Sequence, residues 1–162
     1  MIITGGLENN ESLANDTTSD TWRQVASLSV ERLGTSAALW NGKMVVAGGY
    51  NSENKHLKSV EQYEPESNSW TALPHLLHGQ SDFALVCFEN TLFAYGGENG
   101  TRQALDSVER YNVDTKQWQL AASLNVRREG LCGAALQVCQ LSIEYSVFNV
   151  YTRLHIVKSC KL

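Results

Sequence analysis

The sequence predicts an all-β protein built from small antiparallel sheets that repeat along the chain. Trp22, Trp70 and Trp118 are spaced by 48 residues, and the Gly-Gly pairs at 48–49 and 96–97 keep the same spacing. Between these markers apolar and polar residues alternate, and no run has the apolar period of a helix. Four short strands in every 48 residues, joined by turn residues, account for these observations together.

Each repeat unit presents its strand signals in the same order. Apolar runs at 43–47 and 91–95 end at a Gly-Gly pair, which supplies positive φ angles and lets another backbone approach closely. The alternating segments SVEQY at 59–63 and SVERY at 107–111 follow, each with a tryptophan seven residues beyond its tyrosine. These aromatic residues give each sheet a large apolar face, so we expect the sheets to stack on one another.

The composition excludes several classes of function. The chain has 162 residues, enough for one domain, and its formal net charge of −4 argues against a basic face for nucleic acid. No apolar run is long enough to span a membrane, and the first ten residues lack the basic and apolar regions of a signal peptide. We therefore expect no nucleic-acid or membrane partner and a cytoplasmic location.

Residues that could carry catalysis or bind a metal are sparse. His75 and His78 are predicted to lie exposed in a link between two sheets, and no third metal ligand can be named for them. No acid–base pair, phosphate-binding loop or activated nucleophile is recognisable, so we expect no enzyme activity, no metal and no cofactor. Four cysteines occur without C-x-x-C spacing and are expected to be reduced and mostly buried: Cys87, Cys132, Cys139 and Cys160.

The combination of Gly-Gly, Ser-Val-Glu-x-Tyr and a later tryptophan resembles the kelch repeat. The segments SVEQYEPESNSW and SVERYNVDTKQW are most similar to the kelch domains of BTB-kelch (kelch-like) proteins. The resemblance covers about residues 2–136 and implies an incomplete β-propeller of four-stranded antiparallel blades, with the tryptophan-bearing strand outermost. The positions that define the repeat are Gly5, Gly6, Trp22, Gly48, Gly49, Tyr63, Trp70, Gly96, Gly97, Tyr111 and Trp118.

The resemblance divides the chain into two complete blades with partial blades at each end. The divisions are a partial blade at 1–28, complete blades at 29–76 and 77–124, the start of a further blade at 125–136, and a divergent tail at 137–162. Residues 7–21 are expected to form a loop, because they contain no recognisable Ser-Val-Glu-x-Tyr strand and are rich in Asn, Ser, Thr and Asp.

The repeat loses its register after Leu136. We interpret the tail as the product of an alternative or mispredicted exon, which would make the chain a fragment. The alternative is a natural terminal strand that caps the last blade, with one face formed by Leu141, Ile143, Tyr145 and Val147. Because an open propeller exposes unpaired strand edges, we expect the isolated chain to be marginally stable or prone to aggregation.

In the kelch-like family, partners bind on the rim formed by the loops after Gly-Gly and by the loops that lead to the next blade. Three of the candidates share one position of the repeat, and two arginines there could clamp a carboxylate of a partner. The alternative is that these arginines are solvated or paired within the scaffold. The candidate residues are Arg32, Tyr50, Asn51, Gln80, Asn99, Arg102 and Arg128.

The function implied by the resemblance is non-catalytic protein binding. The chain is similar to part of the substrate-recognition domain of a cullin–RING ubiquitin ligase adaptor, in which an upstream BTB domain, absent from this sequence, would bind the cullin. The first alternative is a scaffold that binds actin and is associated with the cytoskeleton. A galactose-oxidase-like enzyme ranks last, because no copper-binding constellation is recognisable and Tyr63 and Tyr111 match structural positions of the repeat.

Overall fold

The structure, a computed structural model, describes residues 2–5, 12–16, 18–53, 55–138 and 151–155. Within these residues it contains β-strands and no helix, which confirms the predicted all-β fold. The strands are β1 (Ile2–Gly5), β2 (Ser12–Asp16), β3 (Thr21–Val25), β4 (Ser36–Trp40), β5 (Lys43–Ala47), β6 (Val60–Glu64), β7 (Ser69–Leu73), β8 (Ala84–Phe88), β9 (Thr91–Tyr95), β10 (Val108–Asn112), β11 (Gln117–Leu120), β12 (Ala134–Val138) and β13 (Tyr151–His155).

The strands form four separate antiparallel sheets in which chain neighbours pair. Strands β4 to β7 make the first complete blade and strands β8 to β11 make the second, each with four strands in sequential order. A three-stranded sheet of β1, β2 and β3 precedes them, and β12 pairs with β13 after them. The predicted architecture of four-stranded antiparallel blades with partial sheets on either side is therefore confirmed.

The hairpins repeat as regularly as the strands. Residues at positions 48 apart, which we call a column, share backbone conformations. Asp20, Asn68 and Lys116 close the outermost hairpins of three successive sheets with φ angles of 50°, 47° and 53°. The first sheet thus keeps the geometry of the two complete blades on this side, although its sequence matches theirs poorly.

The prediction of a loop at residues 7–21 is wrong, because strand β2 lies within it. Asn15 pairs with Trp22 as Tyr63 pairs with Trp70, and Asn15 stands 48 residues before Tyr63. The segment SLAND has weak strand propensity, but it pairs with β1 on one edge and β3 on the other, and such pairing outweighs local preference. Gly5 ends β1 opposite Ser12, and Gly6 lies outside the described residues.

The divergent tail contributes one described strand. Tyr151–His155 pairs antiparallel with β12, so that Leu136 lies opposite Arg153. The predicted apolar face at 141–147 lies outside the described residues.

The two complete blades pack face to face through one continuous apolar core. The Trp40 and Tyr111 rings meet edge to face with centroids 5.5 Å apart, and the Trp40 indole also donates to the Asn90 carbonyl of the second blade at 2.9 Å. Burying large aromatic and branched side chains in this way supplies most of the stabilisation between blades. The buried members are Trp40, Val45, Ala47, Val60, Leu76, Phe83, Leu85, Leu92, Ala94, Tyr111 and Trp118.

The repeated tryptophans fasten each outermost strand to the segment that leads into its blade. The Trp70 indole donates to the Ala26 carbonyl at 2.8 Å, and the Trp118 indole donates to the Pro74 carbonyl at 2.9 Å. Both acceptors stand 44 residues before their tryptophan. Trp22, in the three-stranded sheet, is 52% exposed. The residue type kept at these positions therefore supplies both apolar area and one directed hydrogen bond.

Two of the cysteines lie in the part of the chain that the structure describes. Both are free thiols, with Cys87 half-buried and Cys132 exposed, so the expectation of burial is wrong for Cys132. Burial raises the pKa of the Cys87 thiol. Cys139 and Cys160 lie outside the described residues. The described ranges contain no helix of the length and apolarity needed to cross a membrane.

Candidate partner-binding rim

The Gly-Gly pairs bring the chain against the neighbouring blade at one end of the strands. Gly49 has a φ angle of 94° and donates to the Gln80 carbonyl at 2.8 Å, while Gly97 has a φ angle of 96° and donates to the Arg128 carbonyl at 2.7 Å. A Cβ atom at Gly97 would lie 2.6 Å from the Ser81 carbonyl oxygen. Only glycine fits this space and this conformation.

The loops that follow the Gly-Gly pairs are tied to the rim by short backbone pairings. Tyr50 pairs with Leu33 and His56, and in the next unit Glu98 pairs with Ser81 and Ala104. Tyr50 and Glu98 occupy the same column. The loop of the first complete blade and that of the second therefore stand side by side on one rim, in matching conformations but with different side chains.

Between these two loops lies a concave site of about 420 Å³, which we call the rim groove. The His56 ring lies 5.8 Å from the Tyr50 ring, and its Nε2 atom is 3.9 Å from the Glu98 carboxylate, too far for a hydrogen bond. The His56 Nδ1 atom is buried and has no partner among the described residues. The groove is lined by Tyr50, His56, Ser81, Asp82, Glu98, Gly100 and Arg102.

Two of the sequence-predicted residues, Tyr50 and Arg102, line the rim groove, while Asn51 and Asn99 shape the loops beside it. The Asn51 side-chain oxygen accepts from the Lys55 amide at 3.1 Å. The Asn99 side-chain oxygen accepts from the Thr101 amide at 2.9 Å and from the Thr101 hydroxyl. These bonds close Asx-type turns, so the asparagines fix the position of the groove walls.

Arg32 lies inside the first complete blade rather than on its rim. Its side chain is fully buried and donates to the carbonyls of Gly48 and Ser59, to the Ser59 hydroxyl and to the Glu61 carboxylate. Glu61 in turn accepts from the Ser29 amide at 3.0 Å. Arg32 is therefore paired within the scaffold, which was the alternative to a role in binding a partner, and no part of its guanidinium lies at the surface.

Gln80 and Arg128, which stand in the same column as Arg32, are placed differently from it. Gln80 is 1% exposed, and neither atom of its amide group has a partner among the described residues. Arg128 is half-buried, and its carbonyl holds Gly97. The structure thus does not bring the three column members together on one surface.

His75 and His78 are both exposed in the link between the complete blades. The His78 Nδ1 atom lies 3.0 Å from the Glu109 carboxylate, which is buried and also accepts from the Leu77 and His78 amides. Across the described ranges, no three His, Cys, Asp or Glu side chains are grouped as a metal site would require.

Sequence reasoning missed His56, Asp82 and Glu98 as residues of the rim. Two of them could have been found from the sequence, because their residue type differs from that of the other members of their columns. Asp82 stands where the chain elsewhere has Gly34 and Gly130, and Glu98 stands where it has Tyr50. Asp82 has a φ angle of 52°, close to the 57° of both glycines, so the backbone keeps a conformation that favours glycine while the side chain changes.

Side-by-side four-stranded sheets with their loops gathered on one rim define a β-propeller scaffold of repeated blades. The model of the kelch motif matches residues 31–77 and 81–125, which together are more than half of the chain. The chain belongs to the kelch-repeat family.

Individual relatives match shorter stretches. Human Kelch-like protein 23 is 33% identical over 70 residues, which cover 43% of this chain and 12% of that protein. Kelch-like protein 25 of Xenopus tropicalis is 29% identical over 108 residues, covering 59% of this chain and 18% of that protein. The F-box/kelch-repeat protein SKIP30 of Arabidopsis thaliana is 36% identical over 67 residues, covering 40% and 19%. The chain therefore spans less than a fifth of the length of these relatives.

Proposed function

We propose that the chain is a non-catalytic protein-interaction module and that the rim groove between its two complete blades holds a segment of the partner protein. The observation that carries this proposal is the state of the charged groups. Arg32 and Glu61 neutralise each other inside the scaffold. Asp82 and Arg102 face the groove and form no ion pair with any residue the structure describes.

The difference between repeated and unrepeated columns supports the same proposal. The columns that keep one residue type, such as Gly48 with Gly96 and Trp70 with Trp118, hold the blades together. The columns that line the groove change from unit to unit, since Glu98 stands in the column of Tyr50 and Asp82 stands in the column of Gly34 and Gly130. Variable side chains on a rigid frame are typical of surfaces that recognise partners.

We further propose that the partner is a protein substrate and that the chain acts within a cullin–RING ubiquitin ligase adaptor. This finer role is supported by the resemblance of the Ser-Val-Glu-x-Tyr segments to those of BTB-kelch proteins and by the similarity to Kelch-like proteins 23 and 25. An upstream BTB domain would supply the contact with the cullin. Actin is the alternative partner, and its binding is an outcome of the experiment below.

The experiment compares two variants of the full chain with the same change in charge. Asp82→Asn with Arg102→Gln removes one charge of each sign from the rim groove, and Asp82→Asn keeps a residue that tolerates a positive φ angle. Glu89→Gln with Lys116→Gln removes the same charges from exposed turns at the opposite end of the strands. We expect the groove variant to lose the proteins captured by the unmodified chain and the control variant to retain them.

Further readouts separate the possible partners. If a captured protein is a ligase substrate, its ubiquitylated fraction should differ between cells that express the chain and cells that do not. Expression of the groove variant should leave that fraction as it is without the chain. Sedimentation of the chain with purified actin filaments would instead favour the scaffold. Equal capture by the groove variant and the unmodified chain would contradict the assignment of the groove.

A further inference from the structure

We propose that the rim groove recognises a basic side chain of its partner, an arginine or a lysine, with Asp82 and Glu98 as the counter-charges. This inference rests on the proposed function and specifies the chemistry of the partner.

The Asp82 carboxylate forms no ion pair with any residue that the structure describes. The Asp82 amide donates to the Gly34 carbonyl, and the Asp82 carbonyl accepts from the Gly130 amide, both at 2.8 Å. This relay links three successive units through backbone atoms, and glycine performs it in the other two. Among the described residues, the Asp82 carboxylate accepts one long hydrogen bond, 3.4 Å from the Ser81 hydroxyl, and it also lies against Gly34. The fold could therefore use glycine here, and the acidic side chain adds charge to the groove.

Glu98 brings a second carboxylate to the rim groove. It pairs through its backbone with Ser81, the residue before Asp82, so the two acidic residues stand on neighbouring segments. Its side chain is 25% exposed, and the His56 Nε2 atom lies 3.9 Å from its carboxylate. Among the described residues, no lysine or arginine forms an ion pair with Glu98. Two carboxylates that line one groove attract a cation from a partner more strongly than either does alone.

The aromatic residues of the groove suit the apolar stem of a long basic side chain. The Tyr50 ring and the His56 ring lie close together beside the carboxylates, and both are partly buried. Arginine and lysine lay their methylene stems along apolar surfaces while their charged ends reach polar groups, and aromatic faces also attract cations. The Tyr50 and His56 rings therefore suit the methylene stem of such a side chain, and the Asp82 and Glu98 carboxylates suit its charged end.

Arg102 sets a limit on the partner. It is exposed at the same groove, and its positive charge leaves the two carboxylates with an excess of one negative charge when His56 is neutral. The arrangement favours one basic side chain of the partner at Asp82 and Glu98, and it opposes a second one near Arg102. Charge complementarity therefore selects a basic residue rather than an acidic one for the centre of the groove.

The test uses three capped tripeptides, Ala-Arg-Ala, Ala-Gln-Ala and Ala-Glu-Ala, titrated into the isotopically labelled full chain. Backbone amide shifts of residues 50, 56, 81, 82 and 98 report binding in the groove. We expect the arginine peptide to shift these amides and the other two to leave them unchanged. Asp82→Gly should weaken arginine binding about three- to fivefold, as expected for loss of an exposed ion pair, and should leave the fold intact.

Glu98→Gln is the second variant, and it should weaken arginine binding to a similar extent. Groove shifts with the glutamate peptide, the absence of groove shifts with the arginine peptide, or full arginine binding by both variants would overturn the inference. If capture of partner proteins still depends on the groove in that case, only the basic-residue inference fails. If arginine binds but capture ignores the groove, the proposed function fails instead.

Discussion

The Arg32 guanidinium and the Glu61 carboxylate form an ion pair in the interior of the first complete blade, where neither side chain is more than 5% exposed. The pair joins the segment that enters the blade to its third strand, and Arg32 also holds the carbonyl of Gly48. In the second blade Gln80 replaces the arginine, and the equivalent Glu109 binds His78 and two backbone amides instead. The two blades therefore share one backbone design, but their equivalent buried carboxylates, Glu61 and Glu109, are stabilised by different partners.

Replacing Arg32 by glutamine should destabilise the chain strongly. The substitution leaves the Glu61 carboxylate buried without its cation, and breaking a buried ion pair from one side costs about 3–5 kcal/mol. Urea unfolding followed by tryptophan fluorescence measures the loss. Lys55→Gln is the control, because Lys55 pairs with Glu53 while both side chains are more than 60% exposed, and it should change stability by less than about 1 kcal/mol. Equal effects of the two substitutions would contradict this account.

Introducing arginine at Gln80 should stabilise the second blade. Gln80 is buried, its side-chain amide has no partner among the described residues, and we expect an arginine in its place to reach Glu109 as Arg32 reaches Glu61. A hydrogen bond to a buried charge contributes about 1.5–3 kcal/mol, which sets the scale of the expected gain in unfolding free energy. A double-mutant cycle with Glu109→Gln isolates the pair, and the gain should vanish in that background. A gain that persists without the carboxylate would contradict the predicted pairing.

Alanine at Gly97 should cost far more than alanine at Gly42, although both glycines have positive φ angles. A Cβ atom at Gly97 would collide at 2.6 Å with the Ser81 carbonyl and the Phe83 side chain, whereas one at Gly42 meets no atom within 4 Å. Gly42→Ala should therefore cost only the conformational term, about 1–2 kcal/mol. Gly97→Ala should exceed it by at least about 2 kcal/mol in urea unfolding. Similar costs would show that close packing at the rim is not what requires glycine.

The Tyr95 side chain should make the stability of the chain fall at high pH. Burial raises the pKa of its phenol from 10.0 to about 12, and its hydroxyl has no described partner. The unfolded chain loses this proton first, so the stabilisation is complete below pH 10 and is lost as pH rises toward 12.

Tyr95→Phe tests this prediction, because phenylalanine keeps the ring and removes the titrating group. The variant should match or exceed the stability of the unmodified chain at neutral pH, since the buried hydroxyl makes no hydrogen bond with any described residue. Its unfolding free energy should fall less steeply between pH 10 and 12 than that of the unmodified chain. An unchanged slope in urea titrations across this range would show that Tyr95 does not titrate as described.

The blade architecture could be predicted because the residues that build it recur in register. Tryptophans and Gly-Gly pairs at a spacing of 48 residues are enough to define the two complete blades from the sequence. Strand β2 escaped prediction because SLAND shares no motif residue with its counterparts, and only its pairing with β1 and β3 makes it a strand. The spacing of Asn15 to Tyr63 was the remaining clue.

The candidate site could be predicted only in part, because it is formed between two units. Tyr50 and His56 come from the first complete blade, and Asp82 and Glu98 come from the second. Their proximity depends on how the two blades pack face to face, which no local pattern encodes. Arg32 shows the converse difficulty, because its column placed it near the rim while its side chain extends inward to Glu61. Position along a repeat predicts where a backbone lies better than where a side chain points.

Site-specific photo-crosslinking tests most directly whether partners bind at the rim groove. A benzophenone amino acid at Gln103 stands in the exposed loop beside Arg102, whereas one at Lys116 stands in the turn at the other end of β10. If partners bind at the rim groove, partner proteins should become crosslinked from position 103 and not from position 116. Asp82→Asn with Arg102→Gln should abolish the crosslink. Equal crosslinking from both positions, or crosslinking that survives in the groove variant, would contradict binding at the rim groove.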